Sequence, residues 1–570
     1  MKFESDPTLV DFVRTEVVPE GTSFRALHEN RVAVRINAED ADRLAGRFMS
    51  RFNARLIHET AVDMEVEGFD MVYIYDFSKV KDRLVVVLEA RISKDDPSPP
   101  SIAKITWQAS WAEREIHDLL GISPRGTPDP RKQFLPYEWP NAAESGAAPP
   151  PPEKGPSGPQ EKWIPLGIAP NDAYATLIPI GPYHPGVIEG QTVYVKVEGE
   201  TVVSADIKTG FHHRGIQKLI ERRGYHKGVF AAERVCGICS AAHGLAYVTA
   251  CENLYEAEVP DRALYLRTLL LELNRVHSHL LWIGVVADVI GWKTGFHLSW
   301  GIRERVMDII ESITGNRVNY GIWRIGGMSR DVSKELAERV LPAVKALKAE
   351  MAQLLPEIAA HSVVKSRLVG VGPLSYADAF DGGAVGPVAR ASNWRIDVRA
   401  DNPPHAMYDP KVISWEVVTD EGCDTYGRTL VRVKELLVSS EIIIQCLEYL
   451  AKTTGDIRLE PKVIPVNSEG IGLNEAPRGE LVHYVRASEF NMNLPQAYRI
   501  RTPSYRNNAL IPKMLVGANL ADVPVVMGST DQCLACTDRF EVIREGGGAS
   551  QSMSWGELVA LGRRGRFGRV

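Results

Sequence analysis

The sequence predicts an α+β N-terminal domain followed by a mainly α-helical bundle domain with peripheral β hairpins. Three observations predict this. Up to about residue 125, β-rich runs such as Arg31-Val-Ala-Val-Arg-Ile and Arg83-Leu-Val-Val-Val-Leu alternate with polar helical stretches such as residues 38–52. Residues 141–159 then lack periodicity and large apolar groups, and their Pro and Gly content favours extended solvated chain. Beyond them helical spacing takes over, most clearly in Leu266, Leu269, Leu270, Leu273, Val276, His277, Leu280 and Leu281. The expected division is a domain over residues 1–140, a linker at 141–160, a large domain over 161–539 and a tail at 540–570.

Taken in order, the first domain ends in Trp111-Ala-Glu-Arg-Glu115-Ile-His-Asp-Leu-Leu-Gly121-Ile, followed by Asp129-Pro-Arg-Lys-Gln-Phe-Leu. By residue type alone, Glu113, Arg114 and Glu115 read as a solvated helix face. From Ile178, the run Pro179-Ile-Gly-Pro-Tyr-His184-Pro-Gly-Val-Ile-Glu189-Gly is a turn-rich loop, and residues 192–209 alternate apolar and polar as a hairpin does. Helices are expected over residues 261–290, 303–313, 334–355 and 415–451, with His277 and His279 as core histidines.

Composition narrows the function. With 66 Lys+Arg against 72 Asp+Glu, a net charge of −6 gives no global attraction to nucleic acid or anionic lipid, so neither is an expected partner. The 7 cysteines, an odd number without an apolar N-terminal signal, point to a reducing compartment. There, Cys-x-x-Cys reads as metal or redox chemistry. No run is long and apolar enough to suggest a spanning helix, so membrane association is expected only through partners.

Two such pairs bracket the large domain: Arg234-Val-Cys236-Gly-Ile-Cys239-Ser-Ala-Ala-His243 near its start and Asp531-Gln-Cys533-Leu-Ala-Cys536-Thr-Asp-Arg539 at its end. The i, i+3 spacing lets both thiolates of a pair face one metal. Four thiolates suit zinc, Cu(I), iron–sulfur clusters or a nickel–iron pair. A closed zinc site is the default by residue type, but zinc staples usually tie small modules, and these pairs span a domain that needs no staple. Arg234, His243, Asp531 and Arg539 beside them are the kind of polar neighbours that tune a reactive metal.

These motifs resemble the paired signature of the [NiFe]-hydrogenase large subunit, in the complex-I-like, energy-converting branch that includes formate hydrogenlyase; the same fold is shared by the complex I 49 kDa subunit. The Glu113–Glu115 segment with Asp118-Leu-Leu-Gly121 and Asp129-Pro-Arg131 is similar to the complex I 30 kDa subunit, a docking piece. The resemblance implies that Cys236 and Cys533 are terminal ligands of Ni, and that Cys239 and Cys536 bridge Ni to an Fe carrying CO and cyanide. It implies a hydrogen bond from His243 to a bridging sulfur, a proton relay at Glu189, a guanidinium from Arg478 over the open metal position held by Asp531, and a cyanide contact from Ser529. Heterolysis of dihydrogen then needs a Lewis-acidic metal and a nearby base, for which the Cys533 thiolate serves.

Two departures stand out. Gln217 in His213-Arg-Gly-Ile-Gln217 replaces a carboxylate that in the family serves a second, divalent metal (Mg or Fe) together with the residue at the Arg539 position. Gln532 replaces a proline and restores a backbone N–H. The Gly- and Arg-rich residues 540–570 match a tail that a dedicated protease removes after nickel insertion, so cleavage is expected after Arg539. Cys251, Cys423 and Cys446 stand alone, which puts the iron–sulfur clusters on a small partner subunit, with complex-I-like membrane subunits anchoring the assembly to the cytoplasmic face. Two other readings compete: a complex-I-type quinone-reducing subunit, whose members lack the four cysteines, and a zinc-stabilised docking protein.

Overall fold

A computed structural model describes residues 7–18, 22–27, 30–135, 175–184, 189–212, 214–461, 469–488 and 491–538; the expected linker, the tail and Arg539 lie outside the described residues. The N-terminal part is a five-stranded sheet in the order β1-β2-β5-β4-β3, formed by Ser23–Ala26, Arg31–Arg35, Arg55–Asp63, Phe69–Asp76 and Val85–Ile92 as β1 to β5. Only β2 and β5 pair in parallel. Alternation sorts the side chains by face. Val32, Val34, Tyr73, Tyr75, Val86 and Leu88 meet the Ala41–Phe52 helix through its Leu44, Ala45 and Phe48, and left-handed Asn53 ends that helix.

The opposite face is also buried. Ala33, Val72, Ile74, Val85 and Val87 pack on Ile471, Leu473, Val482 and Tyr484 of a second sheet, far along the chain. That sheet is β11 (Glu469–Ala476), β12 (Gly479–Ala487) and β13 (Pro495–Arg501), all antiparallel. An antiparallel sheet β6-β7-β8 (Thr176–Ile180, Thr192–Glu198, Thr201–Lys208) contains the expected hairpin, and β9 and β10 (Trp323–Arg324, Gly327–Met328) form a short ladder.

The large domain is built on the Asp261–Val289 helix, buried on nearly all sides between the Lys293–Thr314 and Thr425–Lys452 helices, the latter also packing on Lys334–Ala360. The Ser240–Tyr255 helix lies directly on β11 because Gly470 and Gly472 carry no side chain; a Cβ at either would fall 1.9 Å from the carbonyl oxygen of Ala250 or Ala246. That contact puts the start of the helix, and the first cysteine pair, against the sheet.

The solvated face expected for Glu113, Arg114 and Glu115 is corrected: all three are buried in the Ser110–Leu120 helix. Glu113 accepts from Ser101 Oγ and the backbone N–H groups of Ile102 and Ala103, and Arg114 donates to the carbonyls of Arg131 and Lys132. Asp118 accepts from the N–H groups of Gln133, Phe134 and Leu135. Glu113 thus holds the segment before the helix, and Arg114 and Asp118 the loop after it, which a surface-charge argument does not anticipate. His277 and His279 are buried, as core histidines are: His277 Nε2 is 3.0 Å from Ile238 O and His279 Nε2 is 2.8 Å from Glu435.

Candidate metal centre

The first cysteine pair occupies the tight link between the Tyr225–Glu233 and Ser240–Tyr255 helices, with Cys239 at the N-cap. The second opens the short Leu534–Thr537 turn, capped by Cys533. Their sulfurs meet: Cys236 Sγ lies 3.3 Å from Cys533 Sγ, Cys239 Sγ 3.7 Å from Cys536 Sγ, and Cys533 Sγ 3.1 Å from Cys536 Sγ. All four are free thiols and buried. Cys236, Cys239 and Cys536 offer three ligand atoms within 4.8 Å of one another, the only such group among the described residues.

Arg214 joins the two loops. Its guanidinium donates to the carbonyls of Arg234 (2.9 Å), Val235 (2.5 Å) and Ala535 (3.0 Å), so one planar fork holds backbone on both sides of the sulfurs.

Electrostatically, the four thiols act as one unit. Hydrogen bonds from Cys239, Cys533 and Cys536 pull the Cys236 thiol well below its usual range, with Arg478 helping. Once Cys236 is ionised, its hydrogen bonding and charge push Cys239 and Cys533 well above the usual range, and burial first, then the same sulfur, does so for Cys536. The chain alone therefore sustains one thiolate easily and resists the other three. A cation removes that resistance, and four converging soft donors fit a nickel–iron pair.

Around the sulfurs, Arg478 sits at the tip of the two-residue β11–β12 turn, where Gly386 (φ +63°) lets the turn approach so closely that a Cβ there would be 2.4 Å from Arg478 O. Its Nη2 donates to Asp531 Oδ1 at 2.7 Å and its Nε to Asp531 O at 2.6 Å. Burial opposes the charge, but Asp531 and the sulfurs of Cys533, Cys239 and Cys236 outweigh it and keep the guanidinium protonated. Glu189 accepts from the backbone N–H groups of Leu534 and Ala535, inside the second Cys-x-x-Cys turn, and burial and the Cys236 charge raise its carboxyl above the usual range. His243 Nε2 is 3.5 Å from Cys536 Sγ.

The remaining sequence-predicted residues stand in varied surroundings. Arg234 is exposed and donates to Phe230 O of its own helix, so it belongs to the surface rather than to the sulfur environment. Ser529 donates to Val526 O and accepts from Arg428 Nε. Ser504 also meets the second cysteine turn, its Oγ accepting from Cys533 N at 3.1 Å. Gln217 is buried with its amide nitrogen unpartnered among the described residues, no second carboxylate cluster accompanies it there, and Arg539 lies outside them. The Gln532 side chain accepts from Gln191, which ties the second cysteine turn to the start of β7.

Sequence reading also missed a buried ionic chain behind the Arg478 turn. Arg390 binds Glu475 (2.7 Å) and Glu435 (2.8 Å), and Arg399 binds Asp397 (2.7 Å) and Glu272 (3.2 Å). Arg275 donates to the carbonyls of Glu475 and Ala476, bracing the strand that ends at Arg478. These residues lie in stretches without a motif; only unusually frequent charges at helix positions otherwise apolar would have hinted at them.

Comparison with known proteins adds lineage to this geometry. Family models match for the 30 kDa subunit of respiratory-chain NADH dehydrogenase over residues 34–147, nickel-dependent hydrogenase over 214–285, and the 49 kDa subunit of respiratory-chain NADH dehydrogenase over 289–472 and 460–539. The membrane-bound hydrogenase subunit alpha of Pyrococcus furiosus is 39% identical, over 65% of this chain and 90% of that protein. Formate hydrogenlyase subunit 5 of Escherichia coli is 32% identical over 84% of both chains. A chain in the structure of the membrane-bound sulfane sulfur reductase, an archaeal respiratory membrane complex, matches with TM-score 0.61 and 30% identity, over 65% of this chain and 100% of that one. The chain therefore belongs to the large-subunit family of membrane-bound, energy-converting nickel-dependent hydrogenases, related to the 49 kDa subunit of respiratory NADH dehydrogenase and carrying a 30 kDa-like part in front.

Proposed function

We propose that this chain is the catalytic large subunit of a hydrogenase that interconverts two protons and two electrons with dihydrogen, working toward hydrogen evolution with electrons from a formate- or ferredoxin-type donor. The observation that carries the reading is the convergence of four buried sulfurs beneath Arg478, with Glu189 bound to the turn between two of them. The cross-loop pairing of Cys236 with Cys533 and of Cys239 with Cys536 supports the assignment of one pair as terminal and the other as bridging ligands.

When bound, a nickel–iron centre with CO and cyanide on iron would supply Lewis acidity and the redox step. The residues do the rest. Arg478, fixed by Asp531, holds positive charge over the open side of the site without giving up its proton. Cys533 exchanges a proton with the reacting species, and Glu189, whose carboxyl burial and the Cys236 charge raise above the usual range, passes it to and from Cys533. Ser504 and Arg214 keep the second cysteine turn in place during this exchange.

Electrons would reach the site from iron–sulfur clusters on a small partner subunit, with complex-I-like membrane subunits holding the assembly at the inner face of the cell membrane. Among the described residues no helix is long and apolar enough to cross a membrane. Nickel-insertion proteins and a maturation protease cutting after Arg539 complete the proposal.

Metal analysis and infrared spectroscopy of the purified complex test it. Nickel together with iron, and the stretching bands of iron-bound CO and cyanide, are expected; zinc alone would replace the reading with a docking role, and absence of the bands from matured complex would overturn it. In Glu189→Gln, hydrogen–deuterium exchange of H2 is expected to fall about 100-fold with nickel content unchanged.

A further inference from the structure

Behind the Cys536 sulfur runs a row of three buried side chains that no role above uses in full. His243 presents Nε2 to Cys536 Sγ at 3.5 Å and Nδ1 to His483 Nε2 at 3.1 Å; His483 Nδ1 in turn lies 2.7 Å from the Tyr498 hydroxyl. All three are 0% exposed. The fold sets the row. His483 and Tyr498 are diagonal neighbours across β12 and β13, where His483 faces Ile500 and Val485 faces Tyr498, and the Tyr498 ring meets Tyr247, one helical turn beyond His243, edge-on at 5.4 Å.

Donor bookkeeping gives the row a direction. A metal-bound thiolate only accepts, so the Cys536 sulfur is satisfied when His243 carries its proton on Nε2. In a neutral ring Nδ1 is then bare and takes the N–H of His483 Nε2, whose own bare Nδ1 takes the O–H of Tyr498. The reverse order would aim a ring lone pair at a thiolate lone pair in a buried site, which is strongly unfavourable.

We propose that His483 and Tyr498 are positioning residues: Tyr498 O–H orders His483, and His483 holds His243 in the tautomer that keeps an N–H on the Cys536 sulfur. This rests on reading Cys236, Cys239, Cys533 and Cys536 as the ligands of a nickel–iron centre. The N–H draws electron density from the sulfur, so the row tunes the metals without touching them.

The test compares the purified complex with His483→Phe, His483→Gln and Tyr498→Phe by infrared spectroscopy of iron-bound CO and cyanide, by metal content and by H2 turnover. His483→Phe, which cannot donate, is expected to move the CO band to lower wavenumber and to cut turnover about 10-fold. His483→Gln offers an amide N–H at the same place and is expected to stay near the wild-type band. Tyr498→Phe should shift it in the same direction as His483→Phe, by less. Equal shifts in His483→Phe and His483→Gln, or no shift in a metal-loaded His483→Phe, would overturn the proposal. If His483→Phe takes up no metal, Tyr498→Phe decides: a shift supports the row and an unshifted band overturns it. Missing bands in the wild type would instead overturn the nickel–iron reading on which the row depends.

Discussion

At the seam between the N-terminal sheet and β11–β13, Arg55 lies between Glu480 and Asp76, Arg501 also binds Glu480, and Arg486 bridges Glu89 and Asp70. At the cysteine end, four thiols face one another with one guanidinium nearby. Both regions bury charge-bearing groups, but the seam neutralises its own. Despite burial, Arg55 and Arg501 hold the Glu480 carboxyl down to about 2, so this carboxylate stays ionised between two guanidiniums. The sulfurs, by contrast, oppose one another's ionisation and wait for a cation from outside the chain. A buried polar cluster that balances internally holds a fold together, and one that does not marks a place where something binds.

Four experiments would break or sharpen that contrast, beginning with the largest effect. Cys536→Ser is expected to abolish nickel retention and H2 turnover while leaving the melting temperature of the metal-free chain close to that of the metal-free wild type; a large stability loss would mean that the sulfurs are part of the structural core. Glu480→Ala leaves Arg55 and Arg501 buried without their carboxylate and should lower the unfolding free energy by about 3–5 kcal/mol, measured by denaturant titration, with metal-to-protein ratio unchanged in the folded fraction. Because the folded-state value of Glu480 lies below its ordinary 4.5, its stabilisation is present above about pH 4.5 and is lost as pH falls through about 2.

Arg478→Lys keeps the charge but not the two-point grip on Asp531, and H2 turnover should fall about 100-fold with nickel retained; loss of the metal would move Arg478 to the structural side of the comparison. The smallest effect concerns Glu233, at the end of the helix before Cys236. Burial pushes its carboxyl up to about 7 against the pull of the Gly321 N–H, Arg234 and Arg324. A raised value favours the protonated folded form, so its contribution is complete below about pH 4.5 and fades as pH rises through about 7. Glu233→Gln should therefore lose about 1–3 kcal/mol less stability than wild type between pH 5 and 8, as followed by thermal melts.

Much of the site was legible because it is written in short spacings. The two Cys-x-x-Cys pairs declare themselves within a few residues, whereas Glu189 and Arg478 stand out only through the family resemblance. The Asp261–Val289 and Lys334–Ala360 helices and the strands at Arg31–Arg35 and Val85–Ile92 follow from period, whereas the Ser240–Tyr255 helix was not expected and the helix expected from residue 415 starts only at Thr425. What stayed hidden depends on contacts between distant segments. Arg214, Ser504, His483 and Tyr498 support the cysteine turns or His243 from four separate elements, and their contacts cannot be read from the residues beside them in sequence. The same limit misplaced Arg234: it stands two residues from Cys236, yet its side chain turns back onto its own helix. Glu113 and Arg114 were misjudged the other way, since a charged triplet looks solvated until the segments before and after its helix fold onto it.

The Arg214 fork has a consequence for how such proteins diversify. It joins the two cysteine turns through main-chain carbonyls alone, so the link is indifferent to which side chains the turns carry. The distant ends of the large domain are thus kept in register by the protein, and the closure entropy of the long intervening chain is met before any metal arrives. A lineage could exchange its cysteines for other groups and keep the same cleft, presenting it to a different electron acceptor.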